Sequence, residues 1–257
     1  MVYLNYLLII LGISVIGYLI SLVIKNSSIA DVFWGLYFVA ITDYLLFSIN
    51  QTTTAKLTLA FLINVWGFRL SFHIFGRLLK SKKEDRRYVE FREKWGNSFY
   101  LKSLIFNFFF QGLLAFLIAI PVIMVLRGQN IVLINWAVDA GIFIWLIGFL
   151  TESVADYQMS SFIKKKTGKD EILNSGLWRY SRHPNYFGEL VQWWSIWLIC
   201  FGLNVEVLTV FSPLLLSVLI LFVSGIPLAE KRLKGNSKYN QYVKITSVII
   251  PWPPKKI

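Results

Sequence analysis

The sequence has 257 residues, of which 56% are hydrophobic, 17% aromatic and only 16% charged, and it is far more apolar than a water-soluble domain of this length needs to be. That excludes an ordinary cytosolic enzyme. The net charge of +12 does not indicate a nucleic-acid partner, because the basic residues lie between long apolar runs and do not stripe a polar domain.

Chemistry from soft ligands is also limited. Cys200, His73 and His183 are the only cysteine and histidines, too few for a disulfide framework or a His/Cys zinc cluster, and no metal site is expected. In chain order, Tyr3 to Ile24 carries no charge and is long enough to cross about 30 Å of hydrocarbon. It lacks the basic start and small-residue cleavage site of a secretory signal, so it reads as a retained anchor. Further spans are predicted at Ile29 to Ile49, Leu57 to Leu79, Leu104 to Leu126, Ile131 to Phe162, Tyr186 to Phe201 and Val205 to Leu228, seven in all. The fifth exceeds one crossing, so its end should project into water.

Two connections are rich enough to form structure of their own, Ser81 to Lys102 and Lys164 to Pro184. The pattern EDRRYVEFREKW predicts an interfacial helix, its Lys and Arg near anionic headgroups and Phe91 and Trp95 toward lipid. Lys and Arg concentrate on the cytoplasmic side of membrane proteins. With the N-terminus outside, the inner regions collect 23 of the 26 basic residues, leaving Lys56 and Arg127 outside and Arg69 within the third span. The sequence shows no internal repeat and no linker. The expectation is a single all-α, polytopic membrane domain of about seven transmembrane helices, N-terminus out and C-terminus cytoplasmic. In a bacterium that places it in the plasma membrane.

Ionisable side chains within spans are costly, so they face the bundle interior, pair, or line a water-filled cavity. Asp31 begins the second span. Arg69 and His73 lie about 15 and 9 Å from the inner end of the third at 1.5 Å per residue. Glu152 and Asp156 share a helix face with Ser160, Glu189 opens the sixth span and Glu230 closes the seventh. All of them fall in the cytoplasmic half. Polar walls at the cytosolic side and apolar walls deeper suit a charged soluble cofactor together with a lipophilic substrate. Transporters place broken helices at the midplane and channels carry polar rings along the whole bore, and neither pattern is present.

The most informative stretch is GLWRYSRHPNYFGE, Gly176 to Glu189. Arg179 and Arg182 offer cations of the kind that hold phosphate or carboxylate. Asn185 and Glu189 stand one helical turn apart, and such a pair could read a carboxamide or ribose hydroxyls. No G-x-G-x-x-G follows a strand, so any dinucleotide must be held by helices and loops.

At these residues the chain resembles the membrane-embedded steroid 5-alpha-reductase-like oxidoreductases, and within them the bacterial branch described only as a domain of unknown function. The likeness extends to SSIADVFWG, WGFRLSFHIFGR, EDRRYVEFREKWG, ESVADYQ and the closing IPWPP. Sterol C14 and C7 reductases and isoprenylcysteine carboxyl methyltransferases look like more distant relatives. The resemblance implies an NADPH-dependent reductase of a carbon-carbon double bond in a steroid-, isoprenoid- or enone-like substrate. It places Asn185 and Glu189 at the nicotinamide end, with Tyr186 and His183 on the same turn, and Glu152 and Asp156 at the adenosine portion. Arg179, Arg182 and Arg232 become phosphate partners.

One departure bears on catalysis. The Gln-Glu pair and the Tyr that polarise the ketone in animal steroid reductases are missing from the comparable stretches. Arg69, His73 and Asp31 are then the catalytic candidates, with Tyr88 a weaker one, since hydride addition builds negative charge on a carbonyl oxygen that a cation or protonated acid must stabilise. The rival readings are an S-adenosylmethionine-dependent methyltransferase of a lipophilic substrate and a non-catalytic lipid-binding membrane protein.

Overall fold

A computed structural model of the protein describes residues 2–49, 52–81, 83–128, 135–168 and 170–255. Residues 131–134, which open the expected fifth span, lie outside them, as does the side chain of Tyr3. Helices dominate, and the described residues contain no strand, only an isolated bridge between Ser181 and Ser247. The chain divides into two compact units, residues 1–131 and 132–257.

The first unit comprises α1 (Val2–Val23), α2 (Ile29–Ser48), α3 (Thr54–Ser81), α4 (Arg86–Trp95), α5 (Phe99–Lys102) and α6 (Phe110–Arg127). The second comprises α7 (Asn135–Lys165), α8 (Pro184–Gly202), α9 (Phe211–Val218), α10 (Ile226–Lys231) and α11 (Ser237–Ile245). Among the described residues, six helical runs are long and apolar enough to cross a membrane. The sequence predicts seven spans. The difference is α8, whose 19 residues cover about 28 Å but include Asn185, Glu189 and Gln192 and are correspondingly less apolar. Large apolar side chains such as Val23, Phe47, Phe72 and Leu208 remain exposed, as lipid contact demands and water does not tolerate in such number. The protein is an all-helical polytopic membrane protein.

In the first unit, α2 and α3 touch backbone to backbone. A Cβ on Gly35 would lie 2.4 Å from the Gly67 carbonyl oxygen, so glycine is required at this crossing, a common solution where helices associate without a hydrophobic drive. Beside α6, residues Ser103–Phe109 wind as a π-helix, which displaces carbonyls from the regular ladder. The Tyr37 hydroxyl donates to one of them, Phe108 O, at 2.9 Å. Lys56 is buried and donates to Gly128 O at 2.8 Å, capping the C-terminal end of α6 with a cation.

The connection before α4 is more ordered than the sequence suggests. Asp85 caps the helix through Arg87 N, and Arg87 and Tyr88 reach back to Asp31 on α2 at 2.6 and 2.7 Å. Phe91 and Trp95, expected to face lipid, are half-buried. They stack on each other at 4.8 Å, and Trp95 continues onto Phe99 and Phe106. An aromatic pair of this kind gains more from ring stacking than from isolated exposure.

In the second unit, α7 and α8 pair along a seam of small residues at seven-residue intervals. These are Gly141, Gly148 and Ala155 on α7, and Gly188, Ser195 and Gly202 on α8. A Cβ on Gly188 would stand 2.6 Å from both Gly148 O and Glu152 N, and one on Gly141 3.1 Å from Ser195 O. A seven-residue repeat keeps the seam in register for the length of the pair. At 31 residues, α7 is about 46 Å long and outruns the hydrocarbon, as its sequence length predicts.

Candidate functional site

The turn from Gly176 to His183 is shaped from two sides. On one side α7 supplies Gln158, whose side-chain oxygen accepts from Leu177 N at 3.0 Å, and Ala155, whose carbonyl accepts from Trp178 Nε1 at 3.1 Å. Gly176 has φ +59, and a Cβ there would meet the Gln158 amide, so both the left-handed backbone and the close approach call for glycine. On the other side the tail after α11 runs alongside. Arg182 N donates to Ser247 O at 2.8 Å and Trp252 N to Tyr180 O at 2.9 Å. Ser181 Oγ donates to Ile249 O at 2.8 Å, and the Tyr242 hydroxyl bonds Trp178 O. Pro184 then starts α8 at a position where a missing N–H costs nothing.

This clamp presents Arg182, His183, Asn185 and Tyr186 to a cavity of about 250 Å³. Its apolar wall includes Met159 and Phe162 from α7 and Trp178, Leu233 and Tyr242 from the turn, the loop after α10 and α11. Arg182 and His183 are buried and converge on Glu230 of α10. Arg182 Nη1 lies 2.9 Å and His183 Nε2 3.2 Å from the same oxygen, Glu230 Oε1. His183 also stacks on Tyr186 at 5.6 Å. Among the described residues, the Arg182 Nε–H has no acceptor and the Asn185 side-chain oxygen no donor. A buried polar atom left without a partner is costly, and both residues line the cavity.

Electrostatics follow from burial. Desolvation holds His183 below its ordinary pKa, with the Arg182 charge adding to that effect and Glu230 opposing it. The imidazole is thus neutral at pH 7, and its bond to a carboxylate puts the proton on Nε2. Tyr239 is pushed up to about 12 by burial and by the Glu230 charge, so it stays a phenol. The stability linked to His183 is fully present above its unfolded value near 6.5 and is lost as pH falls through the lower folded value, because the unfolded chain takes the proton first. The thermal midpoint of the purified protein should therefore drop on acidification from pH 7 to 5. His183→Gln should flatten that slope, as read by unfolding scans across the pH series.

The other expected site residues are placed as follows. Glu152, Asp156 and Glu189 are buried at 2%, 8% and 8% exposure, and the polar face of α7 thus turns inward. Glu152 lies in the seam with α8, where Gln192 Nε2 donates to Glu152 Oε2 at 2.6 Å and to Gly188 O at 3.1 Å. None of the three acids borders the 250 Å³ cavity, and neither do Arg179 and Arg232, which are exposed. In the first unit, Arg69 and His73 are half-buried one turn apart on α3. Asp31 has both oxygens engaged, one by Arg87 and one by Tyr88, so it ties α2 to α4. Sequence reasoning placed Glu230 among the cytoplasmic-half acids and missed its role as the shared acceptor of Arg182 and His183. The SGIPLAEKR motif after the seventh span was the available signal. Gln192, Gln158 and the tyrosines of α11 were missed altogether.

These features define a polytopic helical membrane protein in which buried Arg182 and His183 line a cavity in the second unit and share the half-buried Glu230. The chain belongs to the family described as Protein of unknown function (DUF1295), whose model matches residues 17–246. It is similar to the Uncharacterized protein C594.04c of Schizosaccharomyces pombe (strain 972 / ATCC 24843), with 27% identity over 205 residues. The match covers 70% of this chain and spans 59% of that relative's length. No solved structure matches the chain.

Proposed function

We propose that the protein is an integral-membrane oxidoreductase of the steroid 5-alpha-reductase type, using NADPH to reduce a carbon-carbon double bond in a lipophilic substrate. The observation that carries this reading is the cavity at the Arg-His-Pro-Asn-Tyr turn, with an unmatched donor on Arg182 and an unmatched acceptor on Asn185. A carboxamide offers the reverse pair, a carbonyl to accept from one atom and an N–H to donate to the other. At about 250 Å³ the cavity falls below the roughly 300–1,000 Å³ of whole-ligand pockets, so it accepts one end of a dinucleotide. The basic connections then face the cytoplasm, with seven spans and the N-terminus outside, which opens this site to the cytosolic cofactor pool.

NADPH supplies the hydride when bound. Arg182 holds an anionic or carbonyl oxygen through a charge-assisted hydrogen bond. Asn185 accepts an amide N–H and orients the ring that carries it. Glu230 fixes Arg182 and keeps the proton of His183 on Nε2, leaving Nδ1 as an acceptor. In the first unit, Asp31 is committed to Arg87 and Tyr88.

Ligand-dependent unfolding of the detergent-purified chain tests the reading, because only ligands of the folded state raise its midpoint. NADPH at 100 times its Kd should stabilise by about 2.7 kcal/mol, and S-adenosylmethionine should leave the midpoint unchanged. Stabilisation by S-adenosylmethionine alone would transfer the site to methyl transfer. No response to either would leave a lipid-binding role.

A further inference from the structure

A second cavity lies entirely within the first unit, about 470 Å³ in volume, between the end of α1 and the α4–α5 segment. Its base is an ion pair already satisfied. Arg92 Nη2 bonds Glu84 Oε1 at 3.0 Å, Ser27 N donates to the same oxygen at 2.8 Å, and the Arg92 guanidinium lies 4.0 Å over the Phe99 ring. Glu84 therefore neutralises Arg92 and holds it in place. Lys25 stands on the same wall, exposed and without a carboxylate in ion-pair range among the described residues. It occupies the left-handed conformation at φ 52 that turns the chain out of α1, which fixes where its side chain leaves the backbone. Tyr18, Ser21, Tyr100 and Ser103 bring hydroxyls to the lining. The lining charge is thus one net cation among hydroxyl donors.

An apolar strip adjoins this cavity on the α1 side. Leu22 lines it, and Leu19, Ile20 and Val23 continue along α1 as exposed alkyl side chains. A free anion would use the cation and the hydroxyls and ignore this alkyl strip. A lipid uses both.

We propose that this cavity binds the phosphate of an anionic phospholipid, with Lys25 as its ion partner, the hydroxyls of Tyr18, Tyr100 and Ser103 as donors to its oxygens, and the acyl chains along the outer face of α1. The edge of Arg92 not engaged with Glu84 borders the same phosphate. This site is separate from the proposed cofactor site, and neither depends on the other.

The test uses the full-length chain in mild detergent, titrated with short-chain phosphatidylglycerol, phosphatidylcholine or inorganic phosphate and followed by thermal unfolding. Phosphatidylglycerol should raise the midpoint in a saturable way, with little effect from the other two. Lys25→Asn keeps a residue that tolerates the left-handed turn while removing the charge. It should unfold like the wild type without lipid and bind phosphatidylglycerol roughly fivefold more weakly, the scale expected for one basic residue at an anionic surface. If phosphatidylcholine stabilises equally, the selectivity for anionic lipid is wrong. An equal shift with inorganic phosphate overturns the lipid assignment, and unchanged affinity in Lys25→Asn overturns the site. Lys244→Asn, on the exposed side of α11 in the other unit, serves as the charge-matched control and should bind as the wild type does.

Discussion

Gly188→Ala is expected to cost about 3 kcal/mol or more, and Gly188→Val to prevent recovery of a monodisperse protein. The reason is local. The added Cβ would stand 2.6 Å from Gly148 O and Glu152 N, and both are backbone atoms that no rotamer change can move. Overpacking in a well-packed interior usually costs about 1–3 kcal/mol because side chains absorb part of the strain, and here that relief is absent. Gly12→Ala provides the contrast, since a Cβ at Gly12 meets nothing within 4 Å. It should be neutral or stabilise by up to about 1 kcal/mol through helix propensity. Thermal unfolding in detergent, with size-exclusion profiles, distinguishes the two. Equal behaviour of Gly188→Ala and Gly12→Ala would mean that the α7–α8 seam is looser than described.

Arg182→Ala should weaken NADPH binding at least about 30-fold while the protein still purifies, because truncating a buried, hydrogen-bonded charge costs about 2 kcal/mol or more in binding. Its partner Glu230 keeps the bond from His183 and has 28% of its side chain open to solvent, so the fold need not collapse with it. Arg182→Lys retains the charge and loses the planar fork; intermediate affinity is expected. Fluorescence titration of NADPH against the three proteins gives the comparison. Full-affinity binding by Arg182→Ala would remove the cofactor from this cavity.

The helices were largely legible from sequence because a bilayer leaves few alternatives. A predominantly apolar run of about 20 residues has to satisfy its backbone internally, and Tyr3 to Ile24 and Ile29 to Ile49 match α1 and α2 closely. The start of α8 was legible too, since proline after His183 suits a first helical turn. What could not be read was who bonds whom. Asp31 finds Arg87 and Tyr88 more than 50 positions away, and nothing in the periodicity of either segment announces the pairing. Isolated from its partner, a carboxylate at the mouth of a span reads equally as a catalytic acid. Glu230 is a similar case, for its meaning comes from Arg182 and His183 across the unit. The small-residue repeat on α7 and α8 was visible in principle, yet glycine and alanine carry no chemistry and so attract no attention in a search for reactive groups. Phe91 and Trp95 were assigned to lipid because amphipathicity describes one helix at a time and cannot see that rings on the next segment will cover them.

The tail that flanks the Arg-His-Pro turn has a consequence for biosynthesis. Ser247, Ile249 and Trp252 supply backbone partners to Tyr180, Ser181 and Arg182, yet they are translated after every described helix. Insertion into the bilayer can be complete while the pocket still lacks its outer brace. A chain interrupted by a late stop codon would accordingly reach the membrane, pass quality control that inspects spans alone, and remain unable to hold its ligand.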